Sequence, residues 1–378
     1  MTDLALYIHW PFCVSKCPYC DFNSHVREGV DIERWRAALL ADMAHEAGFL
    51  PHRTLGSIFF GGGTPSLMPP SLVAELIEAA HRHWAFAPDI EITLEANPNS
   101  VEVARFADLA AAGVNRVSIG VQSFDPEALH FLGRAHGADE ARAAIDTAQR
   151  HFCRVSFDLI YALPGQTLAQ WEARLAEAVS FGTGHLSLYQ LTIEPGTRFE
   201  TMVRRGDFMP ADPDHAADLF EATQAITAQA GLPAYEVSNH ARAGEDSRHN
   251  LAYWRYGDYA GIGPGAHGRR DAAATQRHRK PENWIDAVAR NGHGCQSEAG
   301  LTTQDRAREA LMMGLRLFEG VDLAALSRRL GVATDEMVDR SALTRLAKQG
   351  LVWTDADRLT VAPKAMLLLD AILPEIVL

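Results

Sequence analysis

Apolar and polar positions follow one repeating order over the first two thirds of the chain. A short apolar run, a turn of Gly, Pro and polar residues, and a longer amphipathic stretch recur from residue 4 to about residue 239. The apolar runs predict strands over residues 4–9, 55–60, 90–96, 116–121, 154–161 and 185–192. Apolar positions at i, i+3 and i+4 predict helices between them, among them 32–47, 71–85, 100–112, 138–151 and 168–179. Strands alternating with helices imply parallel strands joined by crossovers, hence an α/β fold. Six strands fall short of the eight of a closed barrel, so a partial, open (β/α)6 barrel is expected.

The pattern changes further on. A helix over 212–231 and a short strand over 235–238 are followed by the run His249-Asn250-Leu251-Ala252-Tyr253-Trp254 and a glycine-rich run from Gly261 to Gly268. The Gly-x-Gly spacing there follows no βαβ start, which argues against a dinucleotide fold. Residues 269–281 are polar and basic and read as a surface loop. Helices over 305–318, 322–330 and 335–349 then precede two short segments, 351–353 and 358–361. Helices followed by a small hairpin suggest a winged-helix-like unit. The expected division is a core over 1–240, a linking region over 241–299 and a C-terminal winged-helix-like domain over 300–378.

Composition narrows the class. The chain has 378 residues, 47% hydrophobic and 22% charged, as in an ordinary soluble protein. No apolar run approaches a membrane span, and no basic segment precedes an apolar one at the start, so a cytoplasmic protein without a signal peptide is expected. Five cysteines, three of them clustered, argue against a disulfide framework. The formal net charge of -13 disfavours nucleic acid as a partner. Arg328, Arg329, Arg340 and Arg345 are the only candidates for a basic reader, so the C-terminal helices read better as a substrate lid or docking module.

The candidate chemistry falls at the C-terminal ends of the predicted strands, where parallel α/β folds bind ligands. Cys13, Cys17 and Cys20 follow the first strand with C-x3-C-x2-C spacing. Three thiolates are one short of a closed zinc site, although His9 or His25 could complete a zinc knuckle. They also leave one iron of a cubane cluster open. Gly61-Gly62-Gly63-Thr64-Pro65 follows the second strand, and its glycines would let backbone N–H groups approach a ligand. A phosphate loop is excluded because the Gly-Lys-Ser/Thr ending is missing. Glu95, Gln122 and Asp158 sit on later strands, with Arg134 as a further polar candidate; the carboxylates can accept hydrogen bonds from hydroxyls or an ammonium. Tyr19 lies between two cysteines, where it could stack on a ligand or cover a cluster. His249, beside Tyr253 and Trp254, suits an axial haem ligand.

The cysteine spacing resembles the signature of radical S-adenosylmethionine (SAM) enzymes. Together with GGGTP, Glu95-Ala96-Asn97-Pro98, Gln122-Ser123-Phe124 and Asp158-Leu159-Ile160-Tyr161, the run from Tyr7 to Asn23 resembles the oxygen-independent coproporphyrinogen III oxidases and their relatives. The likeness covers essentially the whole chain. It implies a [4Fe–4S] cluster on Cys13, Cys17 and Cys20, with SAM on its open iron. It also implies SAM contacts from Tyr7, Gly62, Gly63, Thr64, Glu95, Gln122, Arg134 and Asp158, and from Thr192 and Ala266. The true oxidases resemble C-x3-C-x2-C-x-C, whereas Phe22 stands at the last place here. They also lack the His-Asn-x-x-Tyr-Trp motif. Both departures resemble the haem chaperone branch, which implies haem as cargo, client haem proteins as partners and His249 as haem ligand. A transient membrane-protein contact and a homodimer are further options. Oxidative decarboxylation of coproporphyrinogen III is the alternative function.

Overall fold

A computed structural model describes residues 4–27 and 29–378. Six parallel strands lie side by side in chain order: β1 (Leu4–Trp10), β2 (Thr54–Gly62), β3 (Ala85–Ala96), β4 (Arg116–Gln122), β5 (Arg154–Tyr161) and β6 (His185–Gln190). Strands β1, β4 and β5 are buried almost continuously, as parallel strands covered on both faces must be. Helices α1 (Ile32–Phe49), α2 (Pro70–His83), α3 (Ala138–His151) and α4 (Leu168–Ser180) are among the crossovers. Their starts follow from sequence: Asp31 caps α1 by accepting from Arg34 N, and Thr167 with Gln170 forms a capping box on α4. Trp35 of α1 meets Trp10 and Phe12 edge-on, ring centroids 5.7 and 4.8 Å apart, which seats the helix under the end of β1.

The sheet is wider than six strands. Helix α5 (Pro213–Gln229) leads to β7 (Asn239–Ala241), antiparallel to β6. Helix α6 (Arg248–Trp254) then leads to β8 (Tyr259–Ile262), parallel to β1 on its free side. Strands β9 (His267–Arg270), β10 (Ala273–Arg277) and β11 (Cys295–Gly300) continue it antiparallel, with α7 (Pro281–Asn291) between the last two. The expected surface loop over 269–281 is thus mostly strand, and Arg269, Arg270 and Arg277 in it are buried. Arg277 is fully buried and donates to Glu46 at 2.7 Å; Arg270 meets Glu46 at 3.0 Å and Glu298 at 2.8 Å. These arginines have buried carboxylate partners on α1, which no local pattern reveals. The expected strand over 235–238 is also displaced. The Glu236 carboxylate accepts from Ser238 N and from the Asn239 side chain, so this backbone turns and the ladder starts at Asn239.

The C-terminal residues build a second apolar core. Helices α8 (Thr303–Gly314), α9 (Leu323–Leu330) and α10 (Arg340–Lys348) pack on a three-stranded sheet of β12 (Val321–Asp322), β13 (Val352–Asp355) and β14 (Arg358–Val361), ordered β12-β14-β13. The helix expected over 335–349 is interrupted: Val338 is extended and Asp339 caps a new helix by accepting from Ala342 N at 2.9 Å. Another expected helix, 100–112, is also split, because Arg105 reaches back to the Ser66 and Leu67 carbonyls. Helix α11 (Leu369–Ile376), which holds Pro374, had no counterpart in the sequence reading.

Candidate functional site

A cavity of about 420 Å³ opens at the C-terminal ends of the parallel strands. Cys13, Cys17 and Cys20 form one wall, and Glu95, Gln122 and Asp158 lie on the strands opposite. The cysteine loop is closed at its base, where Phe12–Cys13 pairs parallel with His25–Val26. Each sulfur has a polar neighbour. Thr64 Oγ1 donates to Cys13 Sγ at 3.4 Å, Arg134 Nη1 donates to Cys17 Sγ at 3.3 Å, and Ser24 Oγ lies 3.7 Å from Cys20 Sγ. Burial raises the Cys13 thiol; the Thr64 hydroxyl opposes this, and the nearby Cys20 and Cys17 sulfurs add to it. All three thiols are free. Among the described residues no group of three or more His, Cys, Asp or Glu is placed to hold a single metal ion.

The glycine run lines the cavity at Gly62 and Gly63 and also has a structural role. A Cβ on Gly62, whose φ is +118°, would lie 2.5 Å from the His9 ring, and one on Gly63 would lie 2.7 Å from the Phe12 carbonyl oxygen. The glycines therefore admit the root of the cysteine loop. Their N–H groups are also committed: Gly62 donates to Glu95 Oε2 at 3.1 Å, Gly63 to Trp10 O at 2.7 Å and Thr64 to Phe12 O at 2.8 Å. The run positions the cysteines and Glu95, with the N–H groups of Gly62, Gly63 and Thr64 held by protein acceptors.

Glu95 and Asp158 carry the electrostatic character of the cavity. Burial pushes the Glu95 carboxyl up to about 8; Asp158 adds to this and the Gly62 N–H opposes it. Burial lifts Asp158 to about 6, against hydrogen bonds from Ser187 and Ser118 and the charges of Arg116 and Arg134. Two carboxyls of different basicity thus face one polar chamber, where an ammonium would find an acceptor. Gln122 holds φ at +69°, a left-handed conformation costly for a side-chain-bearing residue, and its side chain lines the same chamber. Arg134 bridges the two walls: Nη2 donates to Asn97 Oδ1 at 2.6 Å and to Gly120 O at 2.8 Å, while Nη1 reaches Cys17 and, at 3.4 Å, the Tyr19 hydroxyl. Its buried Nε has no partner.

Four of the expected site residues do not line this cavity. Tyr7 lies behind Glu95, with its hydroxyl 2.9 Å from His9 Nδ1. Thr192 is exposed and donates to Gln190 O at 3.3 Å. Ala266 is buried, and its carbonyl accepts from Arg277 N. His249 departs furthest from expectation. It is 1% exposed at the start of α6, inside the barrel. Its Nδ1 is 3.0 Å from Ser57 Oγ and its Nε2 2.7 Å from the Tyr253 hydroxyl. Phe59 stacks on its ring at 4.9 Å, and burial lowers its pKa to about 3. With both nitrogens committed, His249 presents no lone pair to a haem iron and serves as a core residue in this structure. Sequence reasoning missed Asn97 and Ser118, which orient Arg134 and Asp158. Asn97 stood in the quoted Glu-Ala-Asn-Pro run, so a signal for it existed; Ser118 had none.

A partial barrel of parallel strands with a three-cysteine loop and paired carboxyls at its rim has the radical SAM architecture. Residues 7–178 match the Radical SAM superfamily, and residues 301–368 match the HemN C-terminal domain. The solved structure of coproporphyrinogen III oxidase (HemN) from Escherichia coli superposes with a TM-score of 0.85 over 99% of this chain and 89% of its own, at 24% identity, which establishes a shared fold. The heme chaperone HemW of Escherichia coli K12 is 38% identical over 99% of this chain and 98% of its own length. The mitochondrial radical S-adenosyl methionine domain-containing protein 1 of Bos taurus is 41% identical over 84% of this chain and 74% of its own. The chain belongs to the HemW-type haem chaperone family of radical SAM proteins.

Proposed function

We propose that the protein binds haem and passes it to client haem proteins, and that it carries a [4Fe–4S] cluster and SAM. The observation that carries this reading is the end-to-end likeness to a heme chaperone, 38% identical over 99% of this chain. The residues present fit the two resident groups. Three free thiols around one cavity suit a cluster, which would present its fourth iron to the amino and carboxylate groups of SAM. Glu95 and Asp158 would accept from the SAM ammonium and ribose hydroxyls, and the unpartnered Nε of Arg134 is a donor at the same wall. The chain's own groups orient these ligands: Asn97 fixes Arg134, and Gly62 N–H fixes Glu95. Phe22, at the place of the oxidases' extra cysteine, is 61% exposed and offers no ligand atom, which disfavours porphyrinogen oxidation. Among the described residues no helix is long and apolar enough to cross a membrane.

The test pairs two assays on the anaerobically reconstituted chain. Titration with haem should give a saturable Soret band, and transfer to an apo-haem protein should follow on mixing. Incubation with coproporphyrinogen III, SAM and reductant should yield no protoporphyrinogen IX over many turnovers. Multiple-turnover product would reverse the assignment.

A further inference from the structure

Cys13 and Cys17 each receive a hydrogen bond from outside their own loop, and one side chain stands behind both donors. Thr64 Oγ1 lies 3.4 Å from Cys13 Sγ, and Arg134 Nη1 lies 3.3 Å from Cys17 Sγ. Asn97, just past the end of β3, meets the two of them. Its Nδ2 donates to Thr64 Oγ1 at 3.2 Å, and its Oδ1 accepts from Arg134 Nη2 at 2.6 Å.

The direction of each bond in this set is forced. The Glu102 carboxylate is 1% exposed and accepts from Asn97 N at 2.7 Å, Asn97 Nδ2 at 3.2 Å, Asn99 Nδ2 at 2.5 Å and Ser66 Oγ. Arg134 can only donate. The Asn97 amide therefore points its nitrogen at Glu102 and Thr64 and its oxygen at Arg134. The flipped amide would set N–H groups against the guanidinium and an oxygen against the carboxylate. Thr64 Oγ1 already accepts from Asn97, so its own proton is left for Cys13. One buried carboxylate thus fixes one amide, and that amide aims two donors at two sulfurs.

Hydrogen bonds to the sulfurs are among the factors that set the potential of an iron–sulfur cluster. Reduction adds negative charge, and a donor aimed at a thiolate stabilises the more negative state, so each such bond raises the potential. Resting on the reading that Cys13, Cys17 and Cys20 hold a [4Fe–4S] cluster, we propose that Asn97, held by Glu102, is a positioning residue for its reduction potential. It directs the Thr64 proton to Cys13 and the Arg134 guanidinium to Cys17.

The test is a redox titration of the reconstituted, SAM-free chain, followed by the electron paramagnetic resonance of the reduced cluster. Iron content of about four per chain checks loading. Asn97→Asp keeps the shape and the acceptor for Arg134 but cannot donate, so the Thr64 hydroxyl turns to the new carboxylate and leaves Cys13. At the wild-type midpoint about tenfold less cluster should then be reduced, about 59 mV for a one-electron couple. Asn97→Ala brings no charge, frees both donors and should also lower the midpoint. Thr64→Val should lower it and Thr64→Ser should restore it. The shifts of Asn97→Asp and Thr64→Val should not add in the double variant, because both remove the same O–H···S bond. A wild type that takes up no cluster would refute the cluster reading itself. Cluster-loaded Asn97 variants with the wild-type midpoint would refute this inference alone. Fully additive shifts in the double variant would reveal a charge effect only and overturn it as well.

Discussion

Replacing Glu95 with Gln separates the charge of the cavity from its shape. With its pKa held at about 8 by burial and by Asp158, Glu95 is ionised in about one molecule in ten at pH 7. An ammonium bound to this carboxyl needs the ionised form, so binding expels a proton. SAM affinity should then rise about tenfold per pH unit toward pH 8 and level off above it. Glu95→Gln cannot ionise. It forfeits a charged hydrogen bond of about 1.5–3 kcal/mol, roughly ten- to a hundredfold in Kd at pH 8, and its pH dependence flattens. The amino group of SAM titrates alike with both proteins, so the difference between them isolates Glu95. Stability responds with the opposite sign. The folded pKa lies above the ordinary 4.5, so the neutral carboxyl favours the fold at low pH and that contribution is lost as pH rises through about 8. Without ligand, Glu95→Gln should therefore gain on the wild type in urea above pH 8. Calorimetry from pH 6 to 9, in two buffers of different ionisation enthalpy, counts the released protons. Equal pH slopes in the two proteins, or no proton release by the wild type, would refute the assignment of Glu95.

Simultaneous replacement of Cys13, Cys17 and Cys20 by Ala should abolish binding of about four irons per chain, whereas Cys153→Ala and Cys295→Ala should retain them, as iron analysis and the cluster spectrum will show. Asp42→Ala strips one of the two carboxylate partners of Arg277 and orphans Gly263 N, Gly294 N and Trp284 Nε1, all within 3.1 Å of the carboxylate; unfolding in urea should show a loss of about 3–5 kcal/mol. His249→Ala removes hydrogen bonds to Ser57 and Tyr253, so it should cost about 2–4 kcal/mol of stability and leave the Soret band in place; a displaced band with normal stability would restore His249 as the ligand. Burial holds His9, His136 and His240 near 4, below the usual 6.5. The unfolded chain therefore binds more protons in this window, and stability should fall with pH between 6.5 and 4, by about 1.4 kcal/mol per unit for each histidine; a flat profile would show that these rings charge without unfolding.

Much of the barrel was legible because parallel strands and crossover helices carry strong local patterns. The strand expected over 154–161 matches β5 to the residue, and the helix over 138–151 matches α3. The departures share a cause, which is tertiary pairing of polar groups. Arg270 and Arg277 read as a basic loop until α1 supplies Glu46 and Asp42 as buried partners. The break between Thr334–Met337 and α10 turns on a bridge from Val338 to Val377, a long-range contact with no local trace. At the cavity, residue types were readable but commitments were not. The glycines line the cavity, and their second task, making room for His9 and Phe12, had no local trace.

His249 shows why a motif with metal-compatible chemistry need not be a metal site. Helix α6 buries His249 alone, and the backbone N–H of His249 donates to Glu91 Oε1 at 3.2 Å. Glu91 also receives Arg154 at 2.6 Å, while the His249 side chain ties Ser57 of β2 to Tyr253. Tyr253 packs edge-on against Tyr259 of β8 at 4.4 Å, and Phe59, stacked on His249, stacks in turn with Tyr7 at 6.3 Å. Tyr7 and Glu95 are close enough that the carboxyl raises the phenol's pKa. A contiguous set of buried rings and hydrogen bonds thus runs from the His-Asn-x-x-Tyr-Trp helix to the carboxyl that closes the cavity. His249 draws one of its partners from β2 and the other from its own helix, so its loss strands both Ser57 and Tyr253. The motif therefore acts on the site by tying β1, β2 and β8 together beneath it.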